Sequence, residues 1–460
     1  MLSMDRARKL EIAAASARKY AQGGSTHRAA NLLRKLRSAD IVGILDSFGP
    51  QERLSVWQAL RHADARLAAD VLAEMPERGA TAILTALEPS EVAVVLRSLP
   101  VDDAAHLLGL LPDEIVEQFR DEDDTERTIS PELAGHLEYE EETAGRLMTT
   151  NVFSLAETLT VAEAIRSLQE RSDQFEMIFY VYVVDDRRHL VGVVSLRQLL
   201  LSPSSTPLRR IMVDDVISVR TEADQEEVAQ TIARYNLLAV PVVDGENRLA
   251  GIITVDDAMD VLREEATEDI YALAGVNTEE TLTSNPARSI RLRLPWIFVN
   301  LLTASLAASV IRIFEGTIDQ IVALAALMPI VAGLGGNSGT QALTVVVRGI
   351  AMGEMTGVSA AGVLLKELLV GLGNGVCIGI VAAAIAAWWF GNPVLGAILG
   401  LALVINLIVA ALVGTAVPLA FRALGLDPAT GSSVFVTPCT DMTGFAVFLG
   451  LATVFIHYLR

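Results

Sequence analysis

The sequence has few of the residues on which disulfide scaffolds and several enzyme classes depend. Only two of its 460 residues are cysteine, Cys377 and Cys439, and both lie in apolar stretches, which excludes a secreted disulfide scaffold. The six histidines stand apart and never form HExxH, and no GxxxxGKS or GxxxxGKT segment occurs, which counts against a zinc protease and a P-loop pump. Residues 1–20 carry basic side chains but no continuous apolar core, so we expect no signal peptide and a cytoplasmic N-terminus.

Positive charge is scarce and unevenly distributed. The chain has 36 Lys and Arg against 56 Asp and Glu, a net charge of −20, yet 52% of its residues are hydrophobic. Residues 291–460 hold seven basic and six acidic side chains, so the negative charge lies almost entirely in residues 1–290. An acidic half joined to an apolar half excludes a single soluble globule, and we expect no nucleic-acid partner.

Long uncharged stretches after Leu294 predict membrane helices. About 20 apolar residues in a helix cross the hydrocarbon core, and a Gly-Asn-Pro break at 391–393 divides a stretch that is too long for one helix. The pattern predicts five spans, with four as the alternative, at about 294–314, 318–347, 358–388, 394–421 and 434–456. The distribution of Lys and Arg at the span ends favours a cytoplasmic N-terminus and an outside C-terminus.

One carboxylate, Asp441, interrupts the last span. A carboxylate at membrane depth is costly and usually faces a polar pathway. Ser433, Thr437 and Asp441 recur at intervals of four and so lie along one helix face, and Pro438 frees backbone carbonyls beside them. The second span has a similar Pro/Gly-rich polar break at 329–341, and two such spans indicate a substrate path. The structural alternative is that the glycines make close helix contacts and that Asp441 pairs with a buried cation.

The residue types around Asp441 favour a hard cation. A carboxylate among amides, hydroxyls and free carbonyls offers oxygen ligands, whereas a soft metal needs clustered Cys or His. Because Mg²⁺ gives up its water reluctantly, few carboxylates around a partly hydrated ion suffice. A ring of Asp441 side chains in an oligomer would supply them.

Two patterns organise the acidic half. Prolines at 76, 89, 100 and 112 each open an apolar-periodic stretch, which predicts a superhelix of short helices over residues 25–120. Further along, Val183-Val184-Asp185 and the strand at 190–196 recur 59 residues later as Val242-Val243-Asp244 and 249–255. Ser195 and Thr254 are suited to cap the helix that follows each copy. This repeat resembles a tandem CBS pair, a regulatory module that often senses adenosine nucleotides.

The segment between the repeat and the first span is strongly acidic. If it is helical, one face carries the carboxylates of residues 257, 260, 264 and 268, with those of 265 and 269 beside it. Like charges at this spacing repel each other. A solvated acidic face is the simple interpretation, and the alternative is that divalent cations bridge this face to another acidic surface.

The order of these parts resembles the MgtE magnesium channels over essentially the whole length. The motifs that carry the resemblance are GLGGNSGTQ (333–341), ATEDI (266–270), LDP (426–428) and PCTDMTG (438–444). The resemblance implies a multidomain membrane protein whose parts are an all-α superhelical N-terminal domain (1–142), an α/β tandem CBS pair (143–205 and 206–262), a connecting plug helix (263–290) and a five-helix transmembrane domain (291–460).

The same resemblance implies a homodimer in the inner-membrane lipid bilayer that conducts Mg²⁺ inward and is closed by cytoplasmic Mg²⁺. The implied pore ligands are Asp441, Asn337, Thr340, Ser433 and Thr437. The implied regulatory ligands are Asp102, Asp257, Asp260, Glu265, Glu268, Asp269 and Asp427. ATP is a candidate ligand of the CBS pair.

Some residues depart from the family pattern, and rival functions stay open. Thr340 replaces an amide, Ser433 stands where Asn is common, and His106 stands where a second acid would follow Asp102. The rivals are a carrier of another divalent cation such as Mn²⁺ or Co²⁺, a CBS-regulated membrane enzyme and, less well supported, a CBS-linked chloride channel.

Overall fold

A computed structural model of the chain describes residues 2–119, 129–171, 175, 178–277, 280, 285–355, 359–429 and 432–459. The chain divides into two compact units, Met1–Val261 and Leu262–Arg460.

Short helices form the first part of the first unit. They are α1 (Leu2–Gln22), α2 (Thr26–Leu33), α3 (Ser38–Asp46), α4 (Pro50–Ala63), α5 (Ala65–Ala73), α6 (Glu77–Leu84), α7 (Pro89–Leu96), α8 (Val101–Gly109), α9 (Asp113–Val116), α10 (Pro131–His136) and α11 (Ala144–Leu147). Pro76 and Pro100 are the N-cap residues of α6 and α8, and Pro89 is the first residue of α7, so these predicted helix starts are confirmed. Trp57 anchors the helical core, where its Nε1 donates to the Ala68 carbonyl at 2.9 Å.

The repeat folds as two small three-stranded sheets. The first copy has β1 (Ser154–Ala156), α12 (Val161–Arg171), β2 (Tyr180–Val184), β3 (Leu190–Ser195) and α13 (Leu196–Leu201). The second has β4 (Val219–Arg220), α14 (Gln225–Tyr235), β5 (Ala239–Val243) and β6 (Leu249–Thr254). In each sheet the first two strands are parallel and the last two antiparallel, with an irregularity at Val183/Val184 and, 59 residues later, at Val242/Val243. The internal repeat is therefore confirmed, and the same irregularity recurs in both copies.

The segment after the repeat is a helix, α15 (Val255–Ala274). The Ser195 hydroxyl accepts from the Gln198 amide at the start of α13, and Thr254 precedes α15 and donates its hydroxyl to Asp257 at 2.6 Å. Gly275 follows α15 at a φ of +65° and ends the helix. The expected connecting helix over 263–290 is thus two pieces, because α15 begins earlier and the next helix starts at Pro286.

The second unit is a bundle of long apolar helices. It contains α16 (Pro286–Ile313), α17 (Glu315–Gln320), α18 (Ala323–Ala351), α19 (Ala360–Phe390), α20 (Pro393–Ala423), α21 (Ser432–Val454) and α22 (Ile456–Leu459). Five of these are long and apolar enough to cross a membrane, so the predicted number of spans is confirmed. Helices α18 and α21 run unbroken through Pro329 and Pro438, contrary to the expected interruptions, because a proline removes only one helical hydrogen bond.

Helix α20 lies at the centre of this bundle and α16 at its edge. In an apolar 18-residue stretch of each helix, about 61% of the residues of α20 are buried, against 6% of those of α16. Helices α19 and α20 approach closely at Gly379 and Gly400, where a Cβ on either would lie 2.8 Å from the carbonyl oxygen of the other. Trp388 and Trp389 are exposed at the end of α19, as expected for side chains at a membrane–water interface. The chain is a multi-pass membrane protein.

Candidate functional site

A stripe of polar side chains is exposed on α18. Asn337, Thr340 and Thr344 follow one another at helical spacing and are solvent-accessible on a helix that spans the membrane. The hydroxyls of both threonines donate back into the helix, from Thr340 to the Gly336 carbonyl at 3.0 Å and from Thr344 to the Thr340 carbonyl at 2.9 Å. Their oxygens therefore keep lone pairs available for a cation.

Helix α21 packs against α18 beside this stripe. A Cβ on Gly336 would lie 3.8 Å from Cγ2 of Thr437, so Thr437 stands next to the helical turn that carries Asn337. Thr437 is exposed and Asp441, one turn further along, is partly buried. Ser433 belongs to α21, but its side chain lies outside the described part of the chain.

The carboxylate of Asp441 has neither a hydrogen bond nor an ion pair within the described residues. Two of the basic side chains of this unit pair elsewhere, Arg293 with Glu280 and Lys366 with Glu367. An intramembrane carboxylate with no protein cation beside it can attract a mobile one.

In the first unit, an acid of α8, Asp102, lies near an acid at the start of α15, Asp257. The Oδ1 atom of Asp102 is buried and has no hydrogen-bond partner among the residues described. Burial, and then the negative charges of Asp103 and Asp257, raise the pKa of Asp102 to about 8. Burial also raises the pKa of Asp257, against the opposing effect of the Thr254 hydroxyl. A bound cation would remove this electrostatic cost.

We expect the pKa of Asp102 to make the first unit less stable at alkaline pH when divalent cations are absent. Since this pKa of about 8 lies above the ordinary value of 3.8, the stabilisation is complete below pH 3.8 and is lost as pH rises towards 8. The thermal midpoint of the full chain in detergent with a chelator should therefore fall between pH 5 and pH 8, and Asp102→Asn should flatten this fall. Equal slopes for the two proteins would contradict the assignment.

A second acidic cluster lies in the second unit, beside the C-terminal end of α18 and the N-terminal end of α21. Burial, and then the charges of Asp427 and Glu268, raise the pKa of Asp269 to about 6. One turn further along α15, Ala272 and Leu273 pack against a small apolar cluster that contains Leu343, Val347, Ala429 and Val436. The end of α15 therefore packs against a cluster to which both helices with the candidate pore residues contribute.

The predicted regulatory acids do not come together as one site. The structure brings Asp102 close to Asp257, and Asp269 close to Asp427, whereas Asp260 is exposed and Glu265 lies on the same helix between these pairs. Across the described ranges, no three His, Cys, Asp or Glu side chains are arranged to hold a metal ion. Asp257 and Asp269 lie on the same helix, α15, but have different acidic neighbours.

Two polar residues of the bundle, Thr344 and Asn406, were not predicted from the sequence. Thr344 continues the stripe of Asn337 and Thr340, and its spacing of four from Thr340 was a usable signal. Asn406 is fully buried in α20, and only its isolation in an apolar stretch marks it in the sequence.

Comparison with known proteins identifies the family. Residues 328–451 match MgtE, described as a divalent cation transporter, residues 36–142 match the MgtE intracellular N domain, and residues 144–204 and 208–264 match CBS domains. The magnesium transporter MgtE of Enterococcus faecalis is 39% identical over 327 residues, which cover 71% of this chain and 72% of that protein. That of Thermus thermophilus is 34% identical over 424 residues, which cover 89% of this chain and 93% of that protein.

A solved structure agrees with this assignment over more than half of the chain. The crystal structure of the soluble part of a magnesium transporter superposes with a TM-score of 0.50 at 34% identity, and it covers 56% of this chain and 99% of that one. The relatives are transporters, so the chain is not an enzyme. By sequence similarity over nearly its full length and by its arrangement of domains, the chain belongs to the MgtE family of magnesium transporters.

Proposed function

We propose that this protein is a Mg²⁺ channel that admits Mg²⁺ to the cytoplasm and is closed when Mg²⁺ binds its cytoplasmic acids. The observation that carries the proposal is the carboxylate of Asp441, in a membrane-spanning helix, without a protein cation beside it among the described residues. Asn337, Thr340 and Thr437 add neutral oxygens on the same side of the helix pair, and Ser433 precedes Thr437 by one turn. Few carboxylates and several neutral oxygens suit an ion that keeps part of its hydration shell.

The pore belongs to a homodimer in this proposal. In a single chain the stripe on α18 and the exposed Thr437 would face lipid, where polar groups are costly. Pairing two copies through this face would instead enclose the polar side chains and bring two Asp441 carboxylates to one axis.

The direction of flow follows from the membrane potential. With the N-terminus inside the cell and the C-terminus outside the inner membrane, a negative interior drives a divalent ion inward by about 4.6 kcal/mol per 100 mV. No ATP hydrolysis is needed for this flow.

Closure by cytoplasmic Mg²⁺ relies on the two acid pairs and on the acids between them. When Mg²⁺ is scarce, burial and then the charges of Asp103 and Asp257 oppose the ionisation of Asp102. Burial and then the charges of Asp427 and Glu268 likewise oppose that of Asp269, so the closed arrangement is disfavoured. When Mg²⁺ is plentiful it neutralises these charges, with Asp260, Glu265 and Glu268 as further ligands. Several sites together can supply the roughly 5.5 kcal/mol that a complete two-state switch requires.

ATP is proposed as a second ligand, held by the CBS pair. A small cleft is lined by aromatic side chains from the first copy and by Ala239 and Ile252 from the second. Within it, the partly exposed Tyr180 offers aromatic surface on which a base can stack. The buried Tyr182 hydroxyl has no partner in the described part of the chain and is free to bond to a ligand.

Growth of a host that lacks its own Mg²⁺ transporters tests the proposed function. We expect the protein to restore growth at low external Mg²⁺ and to raise Mg²⁺ uptake in proteoliposomes. Uptake of Mn²⁺ or Co²⁺ without Mg²⁺ would instead establish a carrier of another divalent cation, and no uptake of any of them would overturn the proposal.

A further inference from the structure

Asn406 is an amide side chain buried in the apolar centre of α20. None of it is exposed, and its Nδ2 donates to the Val331 carbonyl of α18 at 3.0 Å. That bond fixes which end of the amide is nitrogen, because a carbonyl can only accept. The other end, Oδ1, has no hydrogen-bond partner among the described residues.

The amide lies in a space left by two glycines on the two helices that carry the candidate pore residues. A Cβ on Gly335 of α18 would overlap the Asn406 side chain, and a Cβ on Gly444 of α21 would lie 2.7 Å from its Nδ2. Gly335 precedes Asn337 by two residues, and Gly444 follows Asp441 by three. One side chain therefore contacts both helices within a turn of the residues proposed to touch the ion.

A contribution to folding stability does not explain why an amide is buried at position 406. A buried amide that makes one bond and leaves its oxygen unpaired gains little net free energy, and an apolar side chain of similar size would avoid the cost of burying it. The amide adds a directional hydrogen bond to α18, and the same side chain also packs against Gly444 of α21.

We propose that Asn406 is a positioning residue that fixes the separation of α18 and α21 at the ion pathway. The inference rests on the proposed function, since the pathway is assigned there. Asn406 touches no ion in this scheme and acts through the placement of Asn337 and Asp441. A small change in helix separation alters how a partly hydrated ion fits between such groups, so selectivity should respond along with flux.

The test compares Asn406→Leu, which removes the bond and keeps the number of side-chain heavy atoms, with Thr415→Val as a matched control. Thr415 is also fully buried in α20, but its hydroxyl donates only within its own helix, to Ala411 at 2.7 Å. Both variants and the wild type are compared in proteoliposomes at equal protein content. We expect Asn406→Leu to reduce Mg²⁺ flux and to change the ratio of Mg²⁺ to Mn²⁺ flux by about fivefold, the factor that corresponds to one ordinary hydrogen bond. Thr415→Val should keep the wild-type ratio.

Disulfide crosslinking gives a readout that does not depend on transport. In a background with Cys377→Ala and Cys439→Ala, Gly336→Cys and Thr437→Cys place two thiols within reach across α18 and α21. We expect Asn406→Leu to slow oxidation of this pair and Thr415→Val to leave it unchanged.

The two readouts separate the two proposals. If the wild type carries no Mg²⁺ but crosslinking still responds to Asn406→Leu, the proposed function fails and the positioning role stands. The positioning role is overturned if Asn406→Leu leaves crosslinking unchanged, or if it lowers flux with the Mg²⁺ to Mn²⁺ ratio intact.

Discussion

We expect Asp441→Asn to abolish Mg²⁺ uptake while the folded protein persists in the membrane. The substitution keeps the shape of the side chain and removes its charge. Attraction between a carboxylate and a divalent ion at about 4 Å amounts to several kcal/mol even at an effective dielectric of 20, so we expect uptake to fall by at least about a hundredfold. Radiotracer or fluorescent-dye measurement of Mg²⁺ entry into proteoliposomes, at equal protein content, measures this loss.

Asp319→Asn is the matched control for this prediction. Asp319 lies in the same unit, on the short helix α17, and is exposed, so the same chemical change is made away from the polar stripe. Uptake by this variant should equal that of the wild type. If Asp441→Asn transports Mg²⁺ as well as Asp319→Asn does, the assignment of Asp441 to the pathway is wrong.

Local patterns predicted the architecture because they are set by local physics. Pro76, Pro89 and Pro100 start helices because proline at a helix N-terminus loses no hydrogen bond. The two copies of the repeat, 59 residues apart, form the same strands with the same irregularity because they share their pattern of β-branched residues and an acidic turn. The number of membrane spans was predicted from the length of the uncharged stretches alone.

Pairings between distant residues lay beyond the sequence. The approach of Asp269 to Asp427 depends on how the end of α15 packs on α18 and α21, and no spacing rule connects residues so far apart. The same holds for Asn406, whose role depends on Gly335 and Gly444 of two other helices. The end of the connecting helix at Gly275 was also missed, because the acidic periodicity before it carries no information about where it stops.

We expect Mg²⁺ to protect the acidic half of the chain strongly from limited proteolysis, and we expect this protection to depend on the acid pairs. Ligand binding to one state alone stabilises that state by RT ln(1 + [L]/Kd). When Mg²⁺ exceeds Kd by about a hundredfold, the population of the open form, and with it the rate of cleavage, falls by about the same factor. We expect this protection to appear in the millimolar range of Mg²⁺, followed by gel analysis of the full chain in detergent.

Combined Asp102→Asn and Asp257→Asn substitutions should make the chain resistant without Mg²⁺. Asparagine at 102 removes a carboxylate whose ionisation burial, and then the charges of Asp103 and Asp257, oppose. Asparagine at 257 can still accept a hydrogen bond from the Thr254 hydroxyl. Resistance in chelator should therefore rise toward the Mg²⁺-bound level of the wild type, and added Mg²⁺ should bring little further change. Asp186→Asn, at an exposed acid in the turn between β2 and β3, should behave like the wild type. A double variant that stays sensitive in chelator and is protected by Mg²⁺ as before would show that closure relies on other charges, and the gating scheme would then have to rest on Asp269 and Asp427 alone.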